Sequence, residues 1–92
     1  MTSKKKRKKL KEQFTIKEPN KMYLIDSNPI IEYFKKHPNK LISSYEIMDN
    51  THLENNTQSS VSRTIKAINY YTNFHITSKI GGYNGGGYIY YA

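Results

Sequence analysis

Apolar residues follow two different periods along this chain. From residue 28 to residue 72 they recur every three or four positions, and from residue 74 to residue 91 they tend to alternate. The first period predicts three helices and the second a pair of strands. Asn28 and Pro29 suit an N-cap and first helical position. Ile30, Ile31 and Phe34 then give one apolar side. Lys35 and Lys36 suit the helix C-terminus, and Pro38 stops the helix by His37. Before it, Met22-Tyr23-Leu24-Ile25 reads as an edge strand or extended lead-in, and after it Leu41-Ile42 reads as a short strand or link. Ser43-Ser44-Tyr45-Glu46 matches the S-x-x-E capping box and starts a second helix, with Ile47 and Met48 on its buried side. Asp49-Asn50-Thr51 and Glu54-Asn55-Asn56 keep that helix short, and Leu53 plugs the core from the turn between them.

The third helix is expected from Asn56 or Thr57 to about Tyr71. With about 100° per residue, Val61, Ile65, Ile68 and Thr72 share one stripe. Ser59, Arg63, Lys66 and Tyr70 fall opposite, with Ser62 on the flank. After Asn73, Phe74, Ile76 and Ile80 face one way while His75, Thr77 and Lys79 face the other. Tyr88 to Tyr91 forms a second strand. All five glycines of the chain (Gly81, Gly82, Gly85, Gly86, Gly87) lie between these strands. They mark a β-hairpin, where glycine permits φ > 0 in the turn or a close approach to another backbone.

Charge sharpens this picture. The chain has 92 residues and a formal net charge of +8. Lys4, Lys5, Lys6, Arg7, Lys8, Lys9 and Lys11 form a like-charge block without an acid, so residues 1–20 are expected to be a disordered basic arm and residues 21–92 the folded domain. Residues 12–54 hold five lysines and all seven acids, whereas residues 55–92 hold Arg63, Lys66 and Lys79 and no acid. Positive charge concentrated at the arm and in the last third favours a polyanionic partner. The absence of cysteine rules out disulfides and thiolate metal sites. No apolar stretch nears the roughly 20 residues a bilayer span needs, and no h-region follows the basic block, so no membrane partner and a cytoplasmic, nucleoid-associated location are expected. The wealth of Asn, Lys, Ile and Tyr suits an AT-rich genome, that of a low-GC bacterium or a mobile element.

Three helices followed at once by a hairpin is the order of a winged helix-turn-helix, an α+β fold with a three-helix bundle and a C-terminal β-hairpin wing. The segments ISSYEI, SSVSRTIKAIN and FHITSKIGGYNGGGYIYY resemble winged-helix domains of the biotin-repressor type. Val61, Arg63, Ile65, Lys66 and Ile68 match that family's recognition helix, Phe74, Ile76 and Ser78 its first wing strand, and Gly87-Tyr88 its wing end. The resemblance spans residues 28–91. It departs at Asn73, where the family has glycine, and in a longer stretch from Ile47 to Val61. It implies that the third helix enters the major groove of double-stranded DNA and that the wing touches backbone or minor groove.

The expected DNA contacts are Thr57, Gln58, Ser59, Ser60, Ser62, Arg63 and Lys66 on the third helix, Lys79, Tyr83 and Asn84 on the wing, and the arm lysines with Arg7. Arg pairs bidentately with guanine and Gln with adenine, Ser and Thr suit base edges or phosphate, and Lys neutralises phosphate. By default a polar helix face is only a solvated face, and fold does not dictate function. Most tyrosines are accounted for by core and cross-strand packing. His37, His52 and His75 lie in separate elements without ligand spacing, so no metal or cofactor is expected. No nucleophile–base pair or carboxylate cluster points to an enzyme. The leading expectation is a sequence-specific regulator of transcription or replication. A winged-helix protein adaptor or inhibitor and a non-specific DNA or RNA binder acting through the arm are the alternatives, and a homodimer stays open.

Overall fold

A computed structural model describes residues 18–79 and 86–92. Most of the basic arm and the hairpin tip, including Ile80, Gly81, Gly82, Tyr83, Asn84 and Gly85, lie outside the described residues. The elements run in the order 3-10 helix Lys21–Asp26, α1 Ser27–Lys36, α2 Ser44–Asn50, α3 Gln58–Tyr71, β1 Thr77–Lys79 and β2 Gly87–Ile89. This is a small α+β arrangement of three α-helices and a C-terminal antiparallel hairpin, consistent with a winged-helix-like layout.

One apolar core joins the three α-helices, the Ile42 segment, Ile76 and β2. Ile30 and Phe34 of α1, Ile42, Ile47 of α2, Val61, Ile65 and Ile68 of α3, and Ile76 are all buried. Ile31, Met48, Leu53, Phe74, Tyr88 and Tyr90 pack around them. Ile30, Phe34, Val61, Ile65, Ile68 and Ile76 are residues that the two periods select, while Ile42 enters the core from a segment read as a link. The buried arc of α3 is wider than the expected stripe, because Thr64 and Ala67 are also buried, while Thr72 is exposed and closes the helix end. The extra width comes from the 3-10 helix, which packs against α3.

That 3-10 helix replaces the expected strand or extended lead-in at Met22 to Ile25. The Asn20 side chain accepts from the Met22 amide at 3.0 Å, and the Asn20 carbonyl accepts from the Tyr23 amide at 3.2 Å, so the chain turns at once. Tyr23 and Leu24 then face the body, and Met22 and Ile25 remain exposed. The turn runs straight into α1, whose N-cap position is Asp26 rather than Asn28. Pro29 therefore sits third in the helix, where its missing amide is still one of the four that lack a helical partner. Asp26 does not cap α1. Its buried carboxylate accepts instead from the backbone amides of Glu54 and Asn55, at 2.7 and 3.0 Å. The loop between α2 and α3 is thereby tied to the start of α1.

The capping box at Ser43 is half made. Ser43 Oγ accepts from the Glu46 amide at 3.1 Å, but the Glu46 carboxylate turns away and accepts from Tyr33 Oη at 2.6 Å and Lys40 Nζ at 3.4 Å. The Tyr33 hydrogen bond is the main reason that Glu46 is held below its ordinary range, and the same bond with burial pushes Tyr33 up to about 12.

The sheet is small. β1 pairs antiparallel with β2, with Ser78 opposite Tyr88, and Ile42 adds one bridge on the other side of β2 through Tyr88. Two backbone bonds make that bridge, Ile42 N to Tyr88 O at 2.9 Å and Tyr88 N to Ile42 O at 2.8 Å. Phe74 to Ile76 stays outside the ladder although the alternation continues through it. There the Asn69 side chain of α3 substitutes for a strand, accepting from the Ile76 amide and donating to the Ile76 carbonyl, both at 2.8 Å. A side-chain amide carries both a donor and an acceptor, so it can satisfy both backbone groups of one residue.

The hairpin glycine that can be assessed is required for closeness. A Cβ on Gly87 would lie 2.8 Å from the Ile42 carbonyl oxygen, and Gly87 does not have positive φ. Among the described residues, the one non-glycine residue with positive φ is Asn39, at 61°, in the turn after α1. Asparagine tolerates this region better than most residues.

Candidate nucleic-acid interface

Helix α3 begins as the sequence predicts. Thr57 is its N-cap, and its hydroxyl accepts from the Ser60 amide at 3.1 Å. That places Thr57 in a structural role at the head of the helix and turns Ser60 toward partial burial. Ser59, Arg63, Lys66 and Tyr70 are exposed on the side away from the core, and Ser62 is half-buried beside them. The face carries two cations and no acid, since α3 itself contains none. Short Ser59 and Ser62 between longer neighbours leave room for another surface to approach closely. Lys79 is exposed on β1, three residues beyond Ile76, which Asn69 ties to α3. Tyr83, Asn84 and Lys4, Lys5, Lys6, Arg7, Lys8 and Lys9 lie outside the described residues.

The two side chains with bidentate geometry are both held by tyrosines. Arg63 Nη1 donates to Tyr23 Oη at 3.0 Å, and the guanidinium carbon lies 5.8 Å from the centre of the Tyr23 ring. Tyr45 Oη donates to Gln58 Oε1 at 2.9 Å. Tyr23 comes from the 3-10 helix and Tyr45 from the first turn of α2, so three elements meet at this face. Each interaction leaves capacity unused. A guanidinium has five N–H donors, and an amide oxygen has a second lone pair beside the two donors on its nitrogen.

The far end of α3 holds the lead-in from the arm. Tyr71 Oη donates to the Pro19 carbonyl at 2.5 Å and lies 3.1 Å from a Glu18 carboxylate oxygen that competes for the same proton, and Lys21 Nζ lies 5.4 Å from the centre of the Tyr71 ring. Loss of hydration, reinforced by Glu18, raises the Tyr71 hydroxyl above its ordinary pKa. Residues 18–20, read from the sequence as the end of the arm, thus belong to the folded body.

Sequence reasoning missed Tyr23, Tyr45, Asp26 and Asn69. Tyr23 is forty residues from Arg63 and Asp26 is twenty-eight from Glu54, so no local spacing announces either pairing. Asn69 carried a readable hint, a polar residue on the edge of the apolar stripe directly before the strand that it serves. The tyrosines divide as expected between packing and exposure. Tyr90 stacks on Phe74 with ring centres 4.3 Å apart, Tyr88 packs against the core, and Tyr70 and Tyr91 are exposed.

Among the described residues, no group of three His, Asp or Glu side chains could hold a metal ion, and no helix is long and apolar enough to cross a membrane. No family model matches the chain, and neither does any curated protein or solved structure.

Proposed function

We propose that this protein is a winged helix-turn-helix that binds double-stranded DNA in a sequence-specific way and regulates transcription or replication. The observation that carries the reading is the acid-free outer face of α3, on which the exposed Arg63 and Lys66 follow the short Ser59 and Ser62 in a helix capped by Thr57. A helix of this kind fits the major groove, where Arg63 and Gln58 read base edges and Lys66 meets phosphate. The hairpin follows α3 directly, Asn69 braces the chain at Ile76, three residues before Lys79, and the Lys79 ammonium suits a backbone contact. The basic arm adds affinity without sequence information.

Selection of bound genomic fragments by the purified full chain tests this reading, with an enriched motif as the expected result. On that motif Arg63→Ala should relax preference at one base-pair position, by about 1–3 kcal/mol, and Lys66→Ala should weaken all sequences alike. Removing residues 1–11 should flatten the salt dependence. Every phosphate that the arm no longer neutralises changes the slope of log K against log salt by about 0.9. Failure to enrich any motif would refute specificity. Retained affinity that vanishes with the arm would instead indicate a non-specific binder.

A further inference from the structure

We propose that Tyr23 and Tyr45 are positioning residues for base reading, each holding one bidentate side chain of α3 in its reading posture before DNA arrives. This rests on the DNA-binding reading of the same face.

With Asn69 committed to the Ile76 backbone, Arg63 and Gln58 are the residues of α3 left to make paired hydrogen bonds to a base edge, and both are exposed. Long surface side chains are normally free to rotate, and ordering them on binding lowers affinity and blunts discrimination. Here each is tethered at its tip by a tyrosine hydroxyl from another element, Arg63 by Tyr23 at 3.0 Å and Gln58 by Tyr45 at 2.9 Å. The Tyr23 ring adds a cation–π contact at 5.8 Å. A tyrosine suits this role because its ring has few rotatable bonds and delivers its hydroxyl from a fixed root. Tyr23 is rooted in the 3-10 helix, which packs against α3. Tyr45 is rooted in the first turn of α2, which Ser43 caps.

The two tethers also have the right polarity. Tyr23 accepts from one guanidinium nitrogen, and the donors that remain are enough for the O6 and N7 acceptors of a guanine. Tyr45 donates to the Gln58 oxygen, and the free lone pair of that oxygen and the NH2 group remain to match the N6 donor and N7 acceptor of an adenine. Ser59 and Ser62, between these two flanks, are too short to keep base edges out of reach. The arrangement therefore reads as a supported pair over a low floor.

The test uses the full chain and the hydroxyl-deleting variants Tyr23→Phe and Tyr45→Phe, which keep the rings. Binding is measured at fixed salt against a library varied one base pair at a time around the selected site. Tyr23→Phe should reduce preference about two- to tenfold at the base pair that Arg63→Ala identifies, with non-specific affinity and salt slope unchanged. In the Arg63→Ala background it should have no further effect, because the tether then holds nothing. Tyr45→Phe should behave in the same way toward the position identified by Gln58→Ala. A merely structural role would instead lower affinity for all sequences by one factor, and would do so in the Arg63→Ala background too. That result overturns the proposal, as does unchanged preference. A gain in preference overturns it as well, since it would show the hydroxyl competing with the base. If the wild-type protein shows no base preference at all, the DNA reading itself fails and the inference falls with it. A wild type that discriminates while both phenylalanine variants match it sinks only the inference.

Discussion

Replacing Gly87 by alanine tests the closest backbone approach in the hairpin. The new Cβ would lie 2.8 Å from the Ile42 carbonyl oxygen, 3.2 Å from its carbonyl carbon and 3.0 Å from Leu41 Cδ1. The Leu41 side chain is half exposed and can swing away. The Ile42 carbonyl cannot, because it accepts from the Tyr88 amide at 2.8 Å and its own residue is fully buried in the core. Restoring an ordinary carbon–oxygen separation needs a shift that would strain both bonds of the Ile42–Tyr88 bridge. Overpacking of this kind costs about 1–3 kcal/mol, and a weakened hydrogen bond adds up to about 1 kcal/mol. Against this, alanine loses less chain entropy than glycine on folding, about 0.4–1 kcal/mol in its favour where φ is compatible, and Gly87 is not in the positive-φ region. The net expectation is a destabilisation of about 1–3 kcal/mol. At about 4–8 °C per kcal/mol for a domain of this size, thermal melting should fall by roughly 4–24 °C. Faster hydrogen exchange at the Ile42 and Tyr88 amides should accompany it. A melting temperature equal to or above that of the wild type would refute the close-approach argument.

Three further outcomes concern single interactions. Asp26→Ala leaves the Glu54 and Asn55 amides without their acceptor and should cost about 2–3 kcal/mol in urea unfolding, while Asp26→Asn, which keeps one oxygen and nearly the same volume, should cost less; equal effects would mean that a single retained oxygen supports neither amide. Thr64→Val should raise stability by about 1 kcal/mol, since the buried Thr64 hydroxyl has no hydrogen-bond partner among the described residues, and destabilisation would reveal a partner such as a buried water. The advantage of the wild type over Tyr33→Phe should be flat from about pH 5 to pH 10 and shrink on both sides. Glu46 is depressed below 4.5, so its contribution is present above that value and lost as pH falls through the folded pKa, and Tyr33 is raised from 10 to about 12, so its contribution is lost as pH climbs through that range. An advantage as large at pH 3 as at pH 7 would rule out the Tyr33–Glu46 bond as its source.

The three α-helices, the hairpin and almost the whole core were legible in the order of residues. Periodicity and caps are local, and a buried stripe must repeat with the geometry of its own element. Ser43 and Thr57 therefore announced helix starts that the structure keeps, and Ile30, Phe34, Ile47, Val61, Ile65, Ile68 and Ile76 announced their burial. The polar face of α3 was legible for the same reason, as the complement of its apolar stripe. Folding in three dimensions settled where polar groups find partners far along the chain. Asp26 had the look of an ordinary turn residue until the α2–α3 loop brought two amides to it. The run at Met22 to Ile25 had strand-like composition but no neighbouring strand to pair with, and α3 offered it a surface on which a tight helix fits better. Asn69 ended the ladder early by taking the bonds of Ile76. Tyr23 and Tyr45 reached Arg63 and Gln58 only because the packing of three elements set their distances. Such pairings depend on positions in space that no spacing along the chain encodes.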